Sequence, residues 1–201
     1  MFCPSAQEIP SSRASSLPGM SMELLWYFFL YSFLGLCMER VFARLVRHSD
    51  APRRCRLLLP LCPVYGVGAL AIVSLPEAVV QVPGRLFLAG AVCASLAEFA
   101  ASLFYQLAWG VSFWDYSAHR GNVDGRICLP FSLCWGGLAL VLVYLVHPAA
   151  AAFVSQLNPE ALPYLCALFL SDTAVTTLLL RRSGTTESLR WFPAPSVPET
   201  T

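Results

Sequence analysis

The sequence contains no lysine, and all thirteen of its Lys or Arg residues are arginine. A Walker A phosphate loop needs its lysine, and a Schiff-base enzyme needs an amine nucleophile, so both kinds of site are excluded. Any nucleotide-driven activity must therefore come from a partner protein.

Charge of either sign is scarce. Only 12% of the 201 residues are charged, whereas 57% are hydrophobic. A water-soluble core cannot absorb that much apolar surface, so the composition predicts an integral membrane protein whose main partner is the lipid bilayer.

Clustered metal ligands are also lacking. The eight cysteines form no CxxC pair, and the three histidines lie in three different segments. We interpret the cysteines as small hydrophobic residues and expect no metal ion, no cofactor and no nucleic-acid partner.

Five apolar stretches reach the roughly 20 residues that a membrane-spanning helix needs. They are Leu24–Val46, Leu57–Leu75, Gly84–Trp109, Ile127–Val146 and Ala161–Leu180. The predicted fold is an all-α, polytopic transmembrane helical bundle over residues 22–182, between disordered tails at 1–21 and 183–201. The second stretch is rich in Pro and Gly, so a broken or re-entrant helix is the alternative there.

Arginine is distributed unevenly between the two sides of such a bundle. Two arginines fall on the side of the N-terminus, and nine fall on the other side. The positive-inside rule then predicts a cell (inner) membrane protein with its N-terminus outside and its C-terminus in the cytoplasm.

Three acidic residues interrupt the predicted spans: Glu39, Glu98 and Asp172. Each costs about 2.5–3.5 kcal/mol at mid-span on insertion scales. A functional interpretation is a polar intramembrane path lined by these acids, with Arg126 as a counter-ion. The structural interpretation is that they form buried pairs that select one packing of the helices.

The third loop is the densest polar segment. Its motif consists of Trp114, Asp115, Tyr116, Ser117, His119, Gly125 and Arg126. An aromatic belt at the membrane interface explains the rings, whereas a headgroup or partner contact would explain the charges. His119 with Asp115 could transfer protons. No nucleophile is identifiable beside them, so we predict no catalytic residue.

Several motifs together resemble the bacterial ABC-transporter type IV, permease-like membrane family, over about residues 27–180. They are Tyr31-Ser32-Phe33-Leu34-Gly35 followed by Glu39, Cys62-Pro63-Val64-Tyr65-Gly66-Val67-Gly68, Trp114-Asp115-Tyr116-Ser117, Gly125-Arg126-Ile127-Cys128-Leu129, Phe131-Ser132-Leu133 and Trp135-Gly136. Family members often have tryptophan where this chain has Leu36, which affects one local aromatic contact. The resemblance implies a multi-pass membrane protein with a permease role.

Three hypotheses for function follow. The first is a permease-like transport component that works with a separate ATPase subunit or as a homo-oligomer. The second is a membrane-embedded enzyme acting on a lipid or lipid-linked substrate through Asp115, His119 and Arg126. The third is a non-catalytic scaffold or regulatory subunit in which the polar residues only determine packing.

Overall fold

The computed structural model describes residues 17–45 and 56–189, and helix makes up 77% of it. The α-helices are α1 (Leu17–Leu45), α2 (Pro63–Val73), α3 (Glu77–Val80), α4 (Pro83–Trp109), α5 (Leu129–Val141), α6 (His147–Val154) and α7 (Leu162–Ser183). A π-helical turn, Leu142–Val146, joins α5 directly to α6. The predicted all-α class is confirmed.

Four helical segments are long and apolar enough to cross a membrane. They are Met22–Leu45, Pro83–Trp109, Leu129–Val154 and Pro159–Ser183. These segments correspond to the first, third, fourth and fifth predicted spans, so the polytopic bundle is confirmed for four of them.

The second predicted span, Leu57–Leu75, is not one continuous helix. Only Pro63–Val73, 11 residues, is α-helical. Such a helix is about 16 Å long, roughly half of the hydrocarbon core. Residues 57–62 before it are non-helical. The physical reason is that Pro60 and Pro63 lack backbone N–H groups, and Pro63 stands at the first helical position, where proline is tolerated. The broken-helix alternative is therefore the one observed.

The non-helical half of this segment is held by side chains of α7. Asp172, fully buried, accepts the backbone N–H groups of Leu58 and Leu59, each at 3.0 Å. The hydroxyl of Thr176 accepts the N–H of Leu57 at 3.2 Å. These contacts satisfy backbone donors that no helix satisfies, which is a requirement for irregular backbone inside a membrane protein.

Small residues allow the helices to approach closely. A Cβ atom at Gly35 of α1 would overlap the ring of Tyr65 in α2, and one at Gly90 of α4 would overlap the Cβ of Ala139 in α5. Close approach at glycine is the usual way in which membrane helices associate. The helices α1 and α2 therefore pack as one pair, and α4 and α5 as another.

The ends of α4 and α7 lie together, because Arg181 donates from Nε to the Ala108 carbonyl at 2.8 Å. This end also carries the third loop. The first loop, between the first and second predicted spans, contains four of the nine arginines on the predicted cytoplasmic side, and three of them, at positions 47, 53 and 54, lie outside the described residues. Arg56, which was counted with them, is only 6% exposed, lies 3.9 Å over the Phe169 ring and donates to Thr173.

The C-terminal end of α7 continues into folded chain. A 3₁₀ turn spans Thr186–Leu189, and Leu189 is completely buried in a cluster with Tyr105 and Leu180. This turn lies in the segment predicted as a disordered tail from residue 183, and α1 begins at Leu17, inside the predicted N-terminal tail. Residues 1–16 and 190–201 lie outside the described part of the chain.

The Asp172 contacts lead to a stability prediction. Replacing Asp172 by Ala leaves the backbone N–H groups of Leu58 and Leu59 without their acceptor, and an unsatisfied donor inside a protein costs about 1–3 kcal/mol. We expect a clear fall in the thermal unfolding midpoint of the purified protein in detergent. Ser171→Ala is the matched control, since Ser171 is exposed and donates to the Ala167 carbonyl within its own helix. Equal midpoints for Asp172→Ala and Ser171→Ala would contradict this role.

Candidate functional site

The third loop folds around a short β-hairpin. Strands β1 (Asn122–Val123) and β2 (Ile127–Cys128) pair antiparallel. Between them Asp124 and Gly125 have φ angles of 51° and 66°. Two consecutive positive φ angles are what a type I′ turn requires, and Asp-Gly is a favoured pair for it. The turn therefore determines where the rest of the loop lies.

Two polar side chains of the third loop, Asp115 of the predicted motif and Asn122, hold the loop in shape. Asp115 accepts the Ser117 N–H at 2.8 Å. The Asn122 amide donates to the carbonyls of Ser117, at 3.1 Å, and His119, at 2.9 Å, and accepts the Gly125 N–H at 3.2 Å. Side chains of this kind commonly replace ladder hydrogen bonds in turns. These contacts give much of the loop's polarity a structural reason.

Tyr116 connects the loop to the helical bundle. Its backbone N–H donates to the Gly125 carbonyl at 2.7 Å, so the hairpin positions it. Its hydroxyl donates to Oε1 of Glu98 at 2.8 Å. Tyr116 is 8% exposed and Glu98 is 6% exposed. The loop thus places a hydrogen-bond donor on a carboxylate near the middle of α4.

A second donor reaches Glu98 from α5. The indole Nε1 of Trp135 donates to Oε2 at 3.0 Å, so both carboxylate oxygens accept hydrogen bonds. One turn away on the same two helices, Ser95 donates to Ser132 at 2.7 Å. The carboxylate is therefore enclosed by the loop, α4 and α5.

Arg126, the predicted counter-ion, lies further along α4 towards the loop. Its guanidinium donates to Ser102 at 3.1 Å and to the amide oxygen of Gln106, and lies 5.8 Å from the Phe99 ring centre. Its carbonyl accepts the Trp114 indole N–H at 2.8 Å. Arg126 thus joins the hairpin to two turns of α4 through neutral side chains.

Glu39 is reached through two aromatic side chains. The Tyr65 hydroxyl donates to Oε2 of Glu39 at 2.8 Å. The ring centres of Tyr65 and Trp135 are 5.9 Å apart, and Trp135 binds Glu98. The structure therefore links Glu39 on α1 to Glu98 on α4 through rings from α2 and α5.

The remaining path residue, Asp172, is held elsewhere, against the non-helical segment of residues 57–62. Of the predicted path residues, Glu98 lies on α4, Arg126 binds Ser102 of α4, and Glu39 is connected to Glu98 through Tyr65 and Trp135. Asp172 has a separate set of contacts, made mainly with backbone N–H groups.

Two features of the interior were missed by the sequence interpretation. Tyr65 and Trp135 were noted only as motif letters, although a polar-tipped ring inside a span calls for a hydrogen-bond partner. The Tyr31 hydroxyl pairs with Nδ1 of His147 at 2.6 Å, directly after the π-helical turn. The signal for this turn was Pro148, whose missing N–H disturbs the helix around it.

A metal centre is not indicated by the part of the chain that the structure describes, since no three His, Cys, Asp or Glu side chains there could hold an ion. A family model described as "Putative ABC-transporter type IV" matches residues 26–179, which contain every candidate residue above. No curated protein and no solved structure matches the chain.

The hairpin geometry leads to a second prediction. A Cβ at Gly125 would lie 2.6 Å from Oδ1 of Asp115, at a φ of +66°. We expect Gly125→Ala to cost about 1–3 kcal/mol of stability, since a non-glycine residue is strained there. Thermal unfolding in detergent measures this cost. The control is Gly84→Ala, whose added Cβ meets nothing within 4 Å. A Gly125→Ala midpoint equal to that of the control would show that the loop does not depend on this turn.

Proposed function

Because the chain belongs to the ABC-transporter type IV family, we propose that it is a permease-like membrane component of a transporter. The observation that carries this proposal is Glu98, a buried carboxylate near the middle of a long apolar helix, bound from two other elements. Ionisable groups at such positions are costly, and in membrane proteins they commonly mark substrate or ion pathways.

The discontinuous segment of residues 57–73 supports the same function. Transporters often build their binding sites beside interrupted helices, because irregular backbone is tolerated where it is buried or lines a cavity. Here the non-helical half lies against α7, and the helical half brings Tyr65 to Glu39.

The proposed path runs from Arg126 and Tyr116 at the loop end through Glu98 and Trp135 to Tyr65 and Glu39. Carboxylates along a pathway favour cations over anions. Aromatic rings between two carboxylates also suit a cation, because the face of a ring is electronegative. We therefore infer a cationic solute or ion as the transported species.

The energy source and the orientation are parts of the same proposal. The sequence has no lysine for a Walker A loop, so ATP hydrolysis would belong to a separate ATPase subunit, bound to a single chain or to a homo-oligomer. The segment of residues 57–73 runs from one end of the bundle to the other, because Leu57 packs with Trp109 at the end of α4 and Ile72 packs with Leu86 at its beginning. With this segment as a fifth crossing, we place the arginine-bearing end, with Arg181 and Arg182, in the cytoplasm and the N-terminus outside the inner membrane.

The lipid-enzyme hypothesis has less support. Asp115 accepts an N–H of its own loop, and the His119 ring packs against those of Tyr116 and Phe131 at 5.7 and 5.8 Å. Both side chains therefore have a structural reason for their positions. The scaffold hypothesis is distinguished from transport by the experiment below.

The test uses the full-length, affinity-tagged chain purified in mild detergent. We expect an ATPase subunit to copurify in stoichiometric amount, and the complex to hydrolyse ATP in liposomes. Glu98→Gln keeps the side-chain volume but removes the charge, so we expect hydrolysis to fall at least about tenfold, or 1.4 kcal/mol in the barrier.

The control for this measurement is Glu160→Gln, at an exposed carboxylate outside the proposed path. Recovery of the chain as a monomer without an ATPase would contradict the proposal. If Glu98→Gln lowered the unfolding midpoint but left hydrolysis unchanged, the scaffold hypothesis would replace it.

A further inference from the structure

We propose that Glu98 is a reversible proton-binding site in the interior of the bundle, reached from the loop end through Tyr116. The site consists of the Glu98 carboxylate, the Tyr116 hydroxyl at 2.8 Å and the Trp135 indole at 3.0 Å. The proposed ligand is a proton taken from water at the loop surface, bound by Oε1 and returned to water.

The two donors differ in what they permit. An indole N–H can only donate, so Oε2 of Glu98 remains an acceptor whether the acid is ionised or neutral. A tyrosine hydroxyl can donate or accept. When Glu98 is ionised, Tyr116 donates to Oε1, and when Oε1 carries the proton it can donate to the Tyr116 oxygen. A bound proton can therefore be accommodated by reversal of this hydrogen bond, with the Tyr116 hydrogen turned away from Glu98.

Asp172 provides an internal comparison. Its Oδ1 accepts the Leu58 N–H at 3.0 Å and the Thr176 hydroxyl at 3.3 Å, and its Oδ2 accepts the Leu59 N–H at 3.0 Å. A backbone N–H cannot become an acceptor, so a proton on Asp172 would compete with these backbone donors, and the Thr176 hydroxyl already accepts the Leu57 N–H. Asp172, which is even more deeply buried than Glu98, therefore differs from it in that backbone N–H groups bind both of its oxygens.

Groups from every element around Glu98 act on the bound proton. The loop contributes Tyr116, the exposed His119 edge-on to its ring at 5.7 Å, and Arg126, which is bound to α4. Beyond Trp135 lie Tyr65 of α2 and Glu39 of α1.

These groups have opposing effects. Burial of Glu98 favours the neutral acid, whereas its two hydrogen-bond donors favour the carboxylate. From α5, Trp135 and Ser132 face this region and carry no charge. Because the influences oppose one another, proton uptake and release can both occur without unfolding of the site.

The test labels the purified full-length protein with dicyclohexylcarbodiimide. This apolar reagent reacts with a protonated carboxylic acid by addition across one of its C=N bonds. The acid's proton moves to the carbodiimide nitrogen, and the carboxyl oxygen bonds to the central carbodiimide carbon. We expect peptide mapping by mass spectrometry to find the adduct on Glu98. The pH range is about 5 to about 9, where buried glutamates titrate.

The expected labelling falls about tenfold for each pH unit above its midpoint, as for a single titrating acid. Tyr116→Phe removes a donor to the carboxylate, so we expect its midpoint to move to higher pH. Asp172 should remain unlabelled, and Glu98→Gln should lose the adduct. The chain unfolded in sodium dodecyl sulfate confirms that the Glu98 peptide is detectable.

Absence of a Glu98 adduct over the whole range, or equal labelling of Asp172, would overturn the proposal. Only the use of this proton in transport rests on the proposed function. Labelling of Glu98 without a copurifying ATPase would support the proton site and contradict the transport function. A copurifying ATPase without labelling of Glu98 would support the transport function and contradict the proton site.

Discussion

Backbone hydrogen bonding inside the bilayer is the constraint on which this architecture depends. Hydrocarbon offers no partner to an exposed N–H group, so every interruption of a helix must be satisfied by protein. Residues 57–62 are such an interruption. Asp172 and Thr176 of α7 accept the three successive backbone N–H groups of residues 57–59. This attachment holds the segment against α7, and the short α2 that follows brings Tyr65 to Glu39 of α1.

The same need for hydrogen-bond partners applies to the carboxylate of Glu98. A buried charge needs hydrogen-bond donors, and here the donors come from a loop and from the next helix in the chain. The loop forms a hairpin in which Asp124 and Gly125 adopt the left-handed backbone conformation. The hairpin positions Tyr116, whose backbone N–H donates to the Gly125 carbonyl. Loop folding and the satisfaction of a buried acid are therefore parts of one arrangement.

Apolar length alone was sufficient to predict four of the helices, because a run of about twenty hydrophobic residues has few alternatives to spanning a membrane. The second span was different, since Pro60 and Pro63 interrupt it and their effect depends on what replaces the lost hydrogen bonds. Arg56 shows the same limit. By its position it was a loop charge, but a ring and a hydroxyl of α7 bury it.

The sequence by itself determined the class of the protein, the positions of its long helices, the acids that interrupt them and the dense polar loop, because hydropathy and residue type are local properties. Only the tertiary structure decided which acid meets which donor. Trp135 and Glu98 are 37 residues apart, and Asp172 and Leu58 are 114 apart. Such pairings follow from how helices pack and where a loop turns back, which no local pattern contains. These pairings distinguish Asp172, whose two oxygens both accept backbone N–H groups, from Glu98, whose two oxygens accept a tyrosine hydroxyl and an indole N–H.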